Sequence, residues 1–257
     1  MNSRQILVAL WTLVFKEIRR FTRIWPQTLL PPSITMTMYF IIFGNLIGSR
    51  IGEMDGISYM AYIVPGLIMM SVITNSYSNV ASSFFSNKFQ RSVEEFMVSP
   101  MPDWVILSGF VLGGMARGLG VGLIVTGVSA FFTDVTIHHP LVTLSVVLMT
   151  SAVFAIGGFI NALLANKFDD ISIVPIFVLT PLTYLGGVFY SIDMLPEFWQ
   201  HVSMANPILY MVNAFRYGIL GVSDIPVGGA LIAVAAFIVG FFVLALWMLK
   251  RGKGIRS

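Results

Sequence analysis

Long apolar segments dominate this chain, and they constrain its fold more than any other feature. Six of them lie at about residues 27–47, 59–85, 105–132, 141–165, 172–190 and 225–249. A helix needs about 20 apolar residues to cross the hydrocarbon core of a bilayer. Only 11% of the residues are charged, whereas soluble globular domains contain about 25%. The sequence therefore predicts an all-α membrane protein with six transmembrane helices, in a single domain that covers residues 1–257.

The basic residues indicate how the predicted spans are oriented. An even number of spans places both termini on the same side of the membrane. If that side is the cytoplasm, the inner segments contain twelve basic residues and the outer segments contain only Arg50 and Arg216, while Arg117 lies within a span. Cytoplasmic loops of membrane proteins carry an excess of Lys and Arg. We therefore expect both termini to lie in the cytoplasm.

Residues 1–24 are predicted to form an amphipathic helix on the inner membrane surface. Lys16, Arg19 and Arg20 fall on one helical stripe, and Trp11 is among the apolar residues on the opposite one. A basic face suits anionic headgroups, and an apolar face suits the acyl boundary. A cytosolic helix packed against a partner protein is the alternative interpretation.

Polar side chains recur at helical spacing in the second span, and Asn75 and Asn79 are among them. An amide in hydrocarbon must find a hydrogen-bond partner or water, so this face should point toward the protein interior. The residues alone leave two interpretations open. The face lines a translocation path, or it forms hydrogen bonds that pack helices together.

The third span contains three glycines and one arginine. Gly114, Gly118 and Gly122 recur every four residues, which allows another backbone to approach closely. Arg117 is expected to reach the cytosolic edge of the bilayer or to form a structural ion pair. A role for Arg117 in a transport cycle is the alternative.

The segment 86–104 is too polar to enter lipid and is predicted to form a cytoplasmic loop. Ser92 and Glu95 have the spacing of a capping box, which predicts a short helix. Residues 96–98 would form an apolar patch on this loop, and an exposed patch suggests a protein partner. A solvated loop that rests on the membrane is the alternative.

No pattern in the sequence indicates chemistry of its own. There is no G-x-x-x-x-G-K-[ST] phosphate loop and no cysteine, and the three histidines lack the spacing that zinc requires. The basic residues flank the predicted spans and form no stripe of the kind that binds nucleic acid. We therefore expect that this chain is not an enzyme and that it has no metal site, no bound cofactor and no nucleic-acid partner.

A spaced set of residues before the last span resembles a known family. The segment LTYLGGVFYSIDMLPEFWQHVSMANPILYMVNAFRYGI holds a glycine pair, a Leu-Pro, a second proline and a downstream arginine, namely Gly186, Gly187, Pro196, Pro207 and Arg216. The element IVPGLIMM at residues 63–70 supports the same resemblance. In these features the chain resembles the ABC type-2 transporter permeases, which export drugs, lipids or polysaccharides.

The resemblance implies a dimer of six-span subunits in the bacterial inner membrane, with two ATP-binding subunits on the cytoplasmic side. ATP and Mg²⁺ would then bind to those partner subunits. The loop around Glu94, Glu95 and Phe96 would be the coupling helix that docks on the ATPase. Residues 1–24 would correspond to the interfacial helix of the family.

The resemblance also implies where the substrate passes. The path would run along the dimer interface and be lined mainly by the second and fifth spans, with Asn75, Asn79, Tyr184 and Phe189 as candidate residues. Residues 191–224 would form a short re-entrant helical segment before the last span and close the outer end of the path.

Two other classes of function are weighed beside an exporter. A non-transporting membrane subunit for assembly or sensing has no sequence feature that excludes it. A carrier coupled to protons or sodium would usually pair ionisable residues deep in the membrane. Apart from Arg117, this chain places none there, which disfavours such a carrier.

Overall fold

The computed structural model describes residues 1–54 and 56–252, and their regular structure is predominantly helical. Lys253 and Arg256, two basic residues of the predicted inner side, lie outside the described residues. A hairpin of two antiparallel strands, Glu53–Met54 and Ile57–Ser58, precedes the second span. The α-helices are α1 Ser3–Arg23, α2 Trp25–Thr28, α3 Leu30–Tyr39, α4 Gly48–Ile51, α5 Tyr59–Phe89, α6 Val93–Val98, α7 Asp103–Ser129, α8 Pro140–Leu164, α9 Asp170–Val174, α10 Thr180–Tyr184, α11 Glu197–Met204, α12 Pro207–Leu220 and α13 Val227–Lys250. Two π-helical segments, Phe40–Ile47 and Pro175–Leu179, and a 3₁₀ turn, Ile192–Met194, complete the helical structure.

Among the described residues, five helical segments are long and apolar enough to cross a membrane. They are Trp25–Ile51, Tyr59–Phe89, Asp103–Ser129, Pro140–Leu164 and Val227–Lys250. These segments correspond to the first four predicted spans and to the last one. The predicted fifth span is a shorter apolar helix, Asp170–Tyr184. At about 1.5 Å per residue it reaches only about 22 Å, less than a hydrocarbon core of about 30 Å, so the count of six spans stays a prediction.

Helix α5 is the centre of the bundle. It packs against α7, α8 and α12, and side chains along its length, such as Leu67 and Phe84, are fully buried. The three evenly spaced glycines of α7 face it, and a Cβ at Gly118 would clash with Ser76 of α5. The close backbone approach predicted from the glycine spacing is therefore confirmed.

Helix α1 packs along the first half of α7. A Cβ at Gly109 would meet Leu13, and a Cβ at Gly113 would meet Glu17, so the glycines of α7 form the groove in which α1 lies. The opposite side of α1 leaves large apolar side chains exposed, namely Leu7, Val8, Trp11 and Phe15. An amphipathic helix with such a face suits the boundary between headgroups and acyl chains, which agrees with the predicted interfacial position.

The loop between α5 and α7 contains α6, but the predicted capping box is wrong. The Ser92 side chain makes no capping hydrogen bond. Instead the backbone N–H of Glu94 donates to the carbonyl of Arg91 over 3.1 Å, in a turn where Arg91 has a φ of 60°. This turn satisfies a backbone donor of the helix start without a side-chain cap.

Within residues 191–224, α11 lies between Pro196 and Pro207, and α12 follows it. Helix α12 begins beside the fifth apolar helix, where the Asn206 side chain donates to the carbonyl of Leu182 over 2.6 Å. It ends beside the first turn of α8, where His139 N–H donates to the Gly218 carbonyl over 2.8 Å. Helix α12 thus packs within the bundle, and the passage of this segment into and out of the membrane stays a prediction.

Candidate functional site

The exposed face of α6 combines acidic and apolar side chains. Glu94 and Glu95 are both exposed, and Val98 is 87% exposed at the end of the helix. The two carboxylates lie in the first turn of the helix, where the helix dipole favours negative charge. A mixed surface of this kind, on a loop outside the predicted spans, is suited to bind another protein.

Phe96 does not belong to that exposed face, in contrast to the apolar patch expected from the sequence. Its ring lies T-shaped on Phe110 of α7, with centroids 6.3 Å apart. The Lys16 ammonium of α1 lies 5.2 Å from the Phe96 ring centroid and donates to Asn87 Oδ1 over 3.2 Å. The Phe96 side chain packs against Phe110 and Lys16 of the same chain, because burying an apolar ring is more favourable than exposing it to water. Phe96 therefore attaches α6 to α1 and α7.

A buried polar network joins α1 to α5. Glu17 is fully buried, one of its carboxylate oxygens accepts from Ser83 Oγ over 2.9 Å, and the other lies 3.3 Å from Arg20 Nε. Arg20 Nη2 donates to the backbone oxygen and to Oδ1 of Asn79, over 2.9 and 2.8 Å. These acceptors turn the Arg20 guanidinium toward α5, whereas its neighbour Arg19 stays exposed, and the position of this face among the headgroups stays a prediction.

Asn75 lies one turn earlier on α5 and contacts α7. Its Oδ1 accepts from Arg117 Nη2 over 3.2 Å, and its Nδ2 donates to the Ser71 carbonyl over 3.0 Å. Both asparagines are buried and hold helices together, and their role in a substrate path stays a prediction. We call the following cluster the arginine network: Glu17, Arg20, Asn75, Asn79 and Arg117.

Tyr184 and Phe189 lie apart from the two asparagines, in an aromatic cluster with the first span. The Phe189 ring centroid lies 4.6 Å from that of Phe43 and 6.0 Å from that of Tyr184. The hydroxyl oxygens of Tyr39 and Tyr184 are 3.5 Å apart. Tyr184 is 41% exposed. Of the four candidate path residues, Asn75 and Asn79 therefore lie within the helix bundle. Tyr184 and Phe189 lie in a cluster that reaches the surface of the chain.

Arg216 is the centre of a second polar cluster, at the end of α5 opposite to α6. It is fully buried and donates to the carbonyl of Gly187. Its Nη1 lies 3.8 Å from Asp224 Oδ2, and its guanidinium carbon lies 4.1 Å from the Tyr62 ring centroid. These groups compensate the charge of Arg216 inside the bundle, and the assignment of its segment to the outer side stays a prediction.

The other motif residues shape the backbone around Arg216. Gly187 has a φ of +71°, a conformation that glycine adopts without steric cost. The carbonyl that accepts from Arg216 belongs to this same residue. A Cβ at Gly186 would clash with Ile208. Pro196 precedes α11 and Pro207 begins α12. The motif thus has a structural role, because its residues determine one turn and the beginnings of two helices around the buried Arg216 side chain.

An apolar cavity of about 310 Å³ lies between α5, α8, α12, α13 and the helix Asp170–Tyr184. Phe154, Val178 and Phe241 are among the side chains that line it, and Tyr77 and Asn161 add polar groups to the lining. Its volume lies at the lower end of ligand pockets, which span about 300–1,000 Å³. The cavity has room for the apolar part of a small molecule or for an acyl segment.

Several residues that organise these clusters were missed by the sequence analysis. Glu17 carries a charge whose partner Ser83 lies 66 positions away along the chain. The pairing of Asp224 with Arg216 depends on the turn that follows α12, and Tyr39 and Phe43 resemble ordinary span residues. The lone carboxylate of Glu17 within an otherwise basic helix is a signal that could have drawn attention to it. Within residues 1–54 and 56–252, no group of three or more His, Cys, Asp or Glu is placed to hold a metal ion.

Comparison with known proteins adds the family context. Residues 8–220 match the model of a family described as ABC-2 type transporter. The chain is 57% identical over 250 residues to the inner membrane transport permease YadH of Escherichia coli strain K12, a match that covers 97% of this chain and 98% of that protein. It is 26% identical over 223 residues to nodulation protein J of Rhizobium meliloti strain 1021, covering 83% of this chain and 82% of that protein.

Proposed function

The chain belongs to the ABC-2 type transporter family, and on this premise we propose that it is the permease subunit of an exporter driven by a separate ATPase. The similarity to an inner membrane transport permease and the five long apolar helices support a multi-pass protein of the bacterial inner membrane. The sequence has no phosphate loop, so ATP and Mg²⁺ would bind to the partner. The basic residues favour cytoplasmic termini and a sixth crossing completed by the helix Asp170–Tyr184.

The observation that carries this proposal is the exposed face of α6 within the segment that matches the family. Glu94, Glu95 and Val98 present two charges and an apolar side chain to a partner. Phe96 and Lys16 hold the other side of α6 on α1 and α7. A partner that displaces α6 would therefore also displace α1, which the arginine network binds to α5. This arrangement suits coupling of ATP hydrolysis to the central helix.

We also propose that two copies of the chain enclose the path and that two ATPase subunits bind to them. Apolar side chains of the fifth helix support an interface with a second copy, since Phe177 is 73% and Ile176 is 59% exposed. The aromatic cluster around Tyr184 and Phe189 lies at the end of the same helix. Together with the apolar cavity, these surfaces favour an amphipathic substrate, such as a drug, a lipid or a polysaccharide-like molecule.

Co-purification of an ATPase with the tagged chain from membranes of its native host tests the proposal. In the double variant Glu94→Lys/Glu95→Lys, like charges would oppose a basic docking surface, and such juxtapositions cost several kcal/mol, so the ATPase recovered should fall by at least about tenfold. Glu53→Lys reverses an exposed acid near the other end of α5 and serves as the control. Unchanged recovery in the double variant, with normal membrane insertion, contradicts the assignment of α6 as the coupling helix.

Substrate-stimulated ATPase activity of the complex separates an exporter from a non-transporting subunit. An exporter couples the two events, so candidate amphipathic substrates should raise the ATPase rate of the reconstituted complex. A complex that assembles and hydrolyses ATP at one rate, whatever amphipathic molecule is added, would favour an assembly or sensing subunit.

A further inference from the structure

The arginine network carries more positive charge than its own residues neutralise. It holds two guanidinium groups and one carboxylate, which leaves one positive charge uncompensated. Glu17 lies beside Arg20, whereas among the described residues Arg117 has only an amide oxygen, that of Asn75, as acceptor. Their acceptors Asn79 and Asn75 lie one turn apart on α5, so the two guanidinium groups meet the same stretch of that helix. A charge away from bulk water is costly unless a counter-charge accompanies it.

The same place contains buried donors that lack an acceptor. In the part of the chain that the structure describes, Arg117 Nε and Asn79 Nδ2 are buried and have no hydrogen-bond partner. Both atoms can only donate. Ser76 Oγ, one turn from Asn79 on α5, is buried and without a partner as well. Such groups are rare in native structures, and an anion would supply both the missing acceptor and the missing charge.

The depth of the network in the membrane indicates where this anion comes from. Glu17 of α1 lies against Gly113 of α7, and Arg117 is one helical turn further, about 6 Å along the axis. Helix α1 exposes large apolar side chains such as Trp11 and Phe15, which places it at the boundary between headgroups and acyl chains. The network therefore lies next to α1, near the headgroup boundary of that leaflet, and long arginine side chains can extend from there toward lipid phosphates.

We propose that Arg20 and Arg117 bind the phosphate of one acidic phospholipid from the leaflet in which α1 lies. Guanidinium groups match phosphate geometry and form charge-assisted hydrogen bonds with it. The bound phosphate neutralises the excess charge and accepts from Arg117 Nε and Asn79 Nδ2. The lipid thereby becomes part of the contact between α1, α5 and α7. This site goes beyond the proposed transport function and depends on neither the substrate nor the ATPase.

Lipid binding to the purified chain in neutral detergent tests the proposal, with native mass spectrometry and thermal shift as readouts. Phosphatidylglycerol should bind and stabilise the protein at concentrations where phosphatidylcholine does not. Loss of a hydrogen bond to a charged group weakens binding by about tenfold or more, and we expect this loss in Arg117→Gln. Arg19→Gln removes an exposed charge next to Arg20 and should leave the affinity unchanged.

A second variant keeps the test decisive if Arg117→Gln folds poorly. Glu17→Gln retains an oxygen that accepts from Ser83 but removes the competing negative charge, so phosphatidylglycerol should bind several-fold more tightly. Equal binding of both lipids by the wild-type protein overturns the proposal. Equal losses in Arg19→Gln and Arg117→Gln overturn it too, because they indicate diffuse surface attraction. If inorganic phosphate raises the melting temperature as much as phosphatidylglycerol does at equal concentration, a phospholipid is not the source of the bound phosphate.

Discussion

Replacing Arg216 with Met should destabilise the protein by about 3–5 kcal/mol, the usual cost of breaking a buried charge pair by removing one partner. The substitution keeps most of the side-chain volume but removes the donor to the Gly187 carbonyl and the cation that faces Tyr62. It also leaves Asp224, whose side chain is only 9% exposed, without its counter-charge. The remaining partner of that carboxylate is the backbone N–H of Ile192, at 3.2 Å.

Thermal denaturation of the detergent-purified protein measures this loss, with the surviving folded fraction followed by size-exclusion chromatography. For a chain of this size, each kcal/mol lowers the melting temperature by about 2–4 °C, so a fall of roughly 6–20 °C is expected. Arg50→Met is the matched control, because Arg50 is exposed and exposed substitutions usually change stability by less than about 0.5 kcal/mol. Equal melting temperatures for the two variants would refute the argument that Arg216 is held by a compensated buried pair.

A double-mutant cycle separates the pair from the packing around Arg216. When both partners become neutral, no charge is left buried, so removing both costs less than the sum of the single losses. The variant Arg216→Met/Asp224→Asn should therefore be more stable than the two single variants predict by addition. Strict additivity would indicate that the ion pair at 3.8 Å contributes little, and that the hydrogen bond to Gly187 carries the effect.

Three further predictions follow from helix packing, charge and the absence of a nucleotide motif. Gly118→Leu should destabilise the bundle by about 1–3 kcal/mol or more through overpacking, whereas Gly120→Leu, with open space around it, should not. Similar melting temperatures would contradict the packing of α7 on α5. Reporter fusions at Gln90 and after Lys250 should be cytoplasmic, and a periplasmic reporter active at Gln90 would contradict the proposed orientation. The purified chain alone should not hydrolyse ATP, since it lacks a phosphate loop, and tight ATP binding without a partner would count against the exporter.

The spans illustrate what sequence can and cannot predict about this fold. Apolar length predicted the four spans within residues 27–165 and the last one, because the cost of placing polar groups in lipid is a local property of each segment. The fifth segment was less predictable. Apolar residues continue to Phe189, but the helix ends at Tyr184, since the turn at Gly187 and the packing of α12 determine where the chain leaves it.

The sequence by itself determined that this chain is a helical membrane protein, that its glycines pack helices closely, and that its motif before the last span belongs to a transporter family. These properties depend on composition, spacing and residue type along one segment. Only the tertiary structure decided the partners of the charged and polar groups. Arg20 binds a residue 59 positions away and Glu17 one 66 positions away, and each pair depends on how two packed helices are rotated and how deeply they lie. Helical periodicity places a side chain on a face of its own helix, but the neighbour that this face meets is fixed only when the bundle assembles.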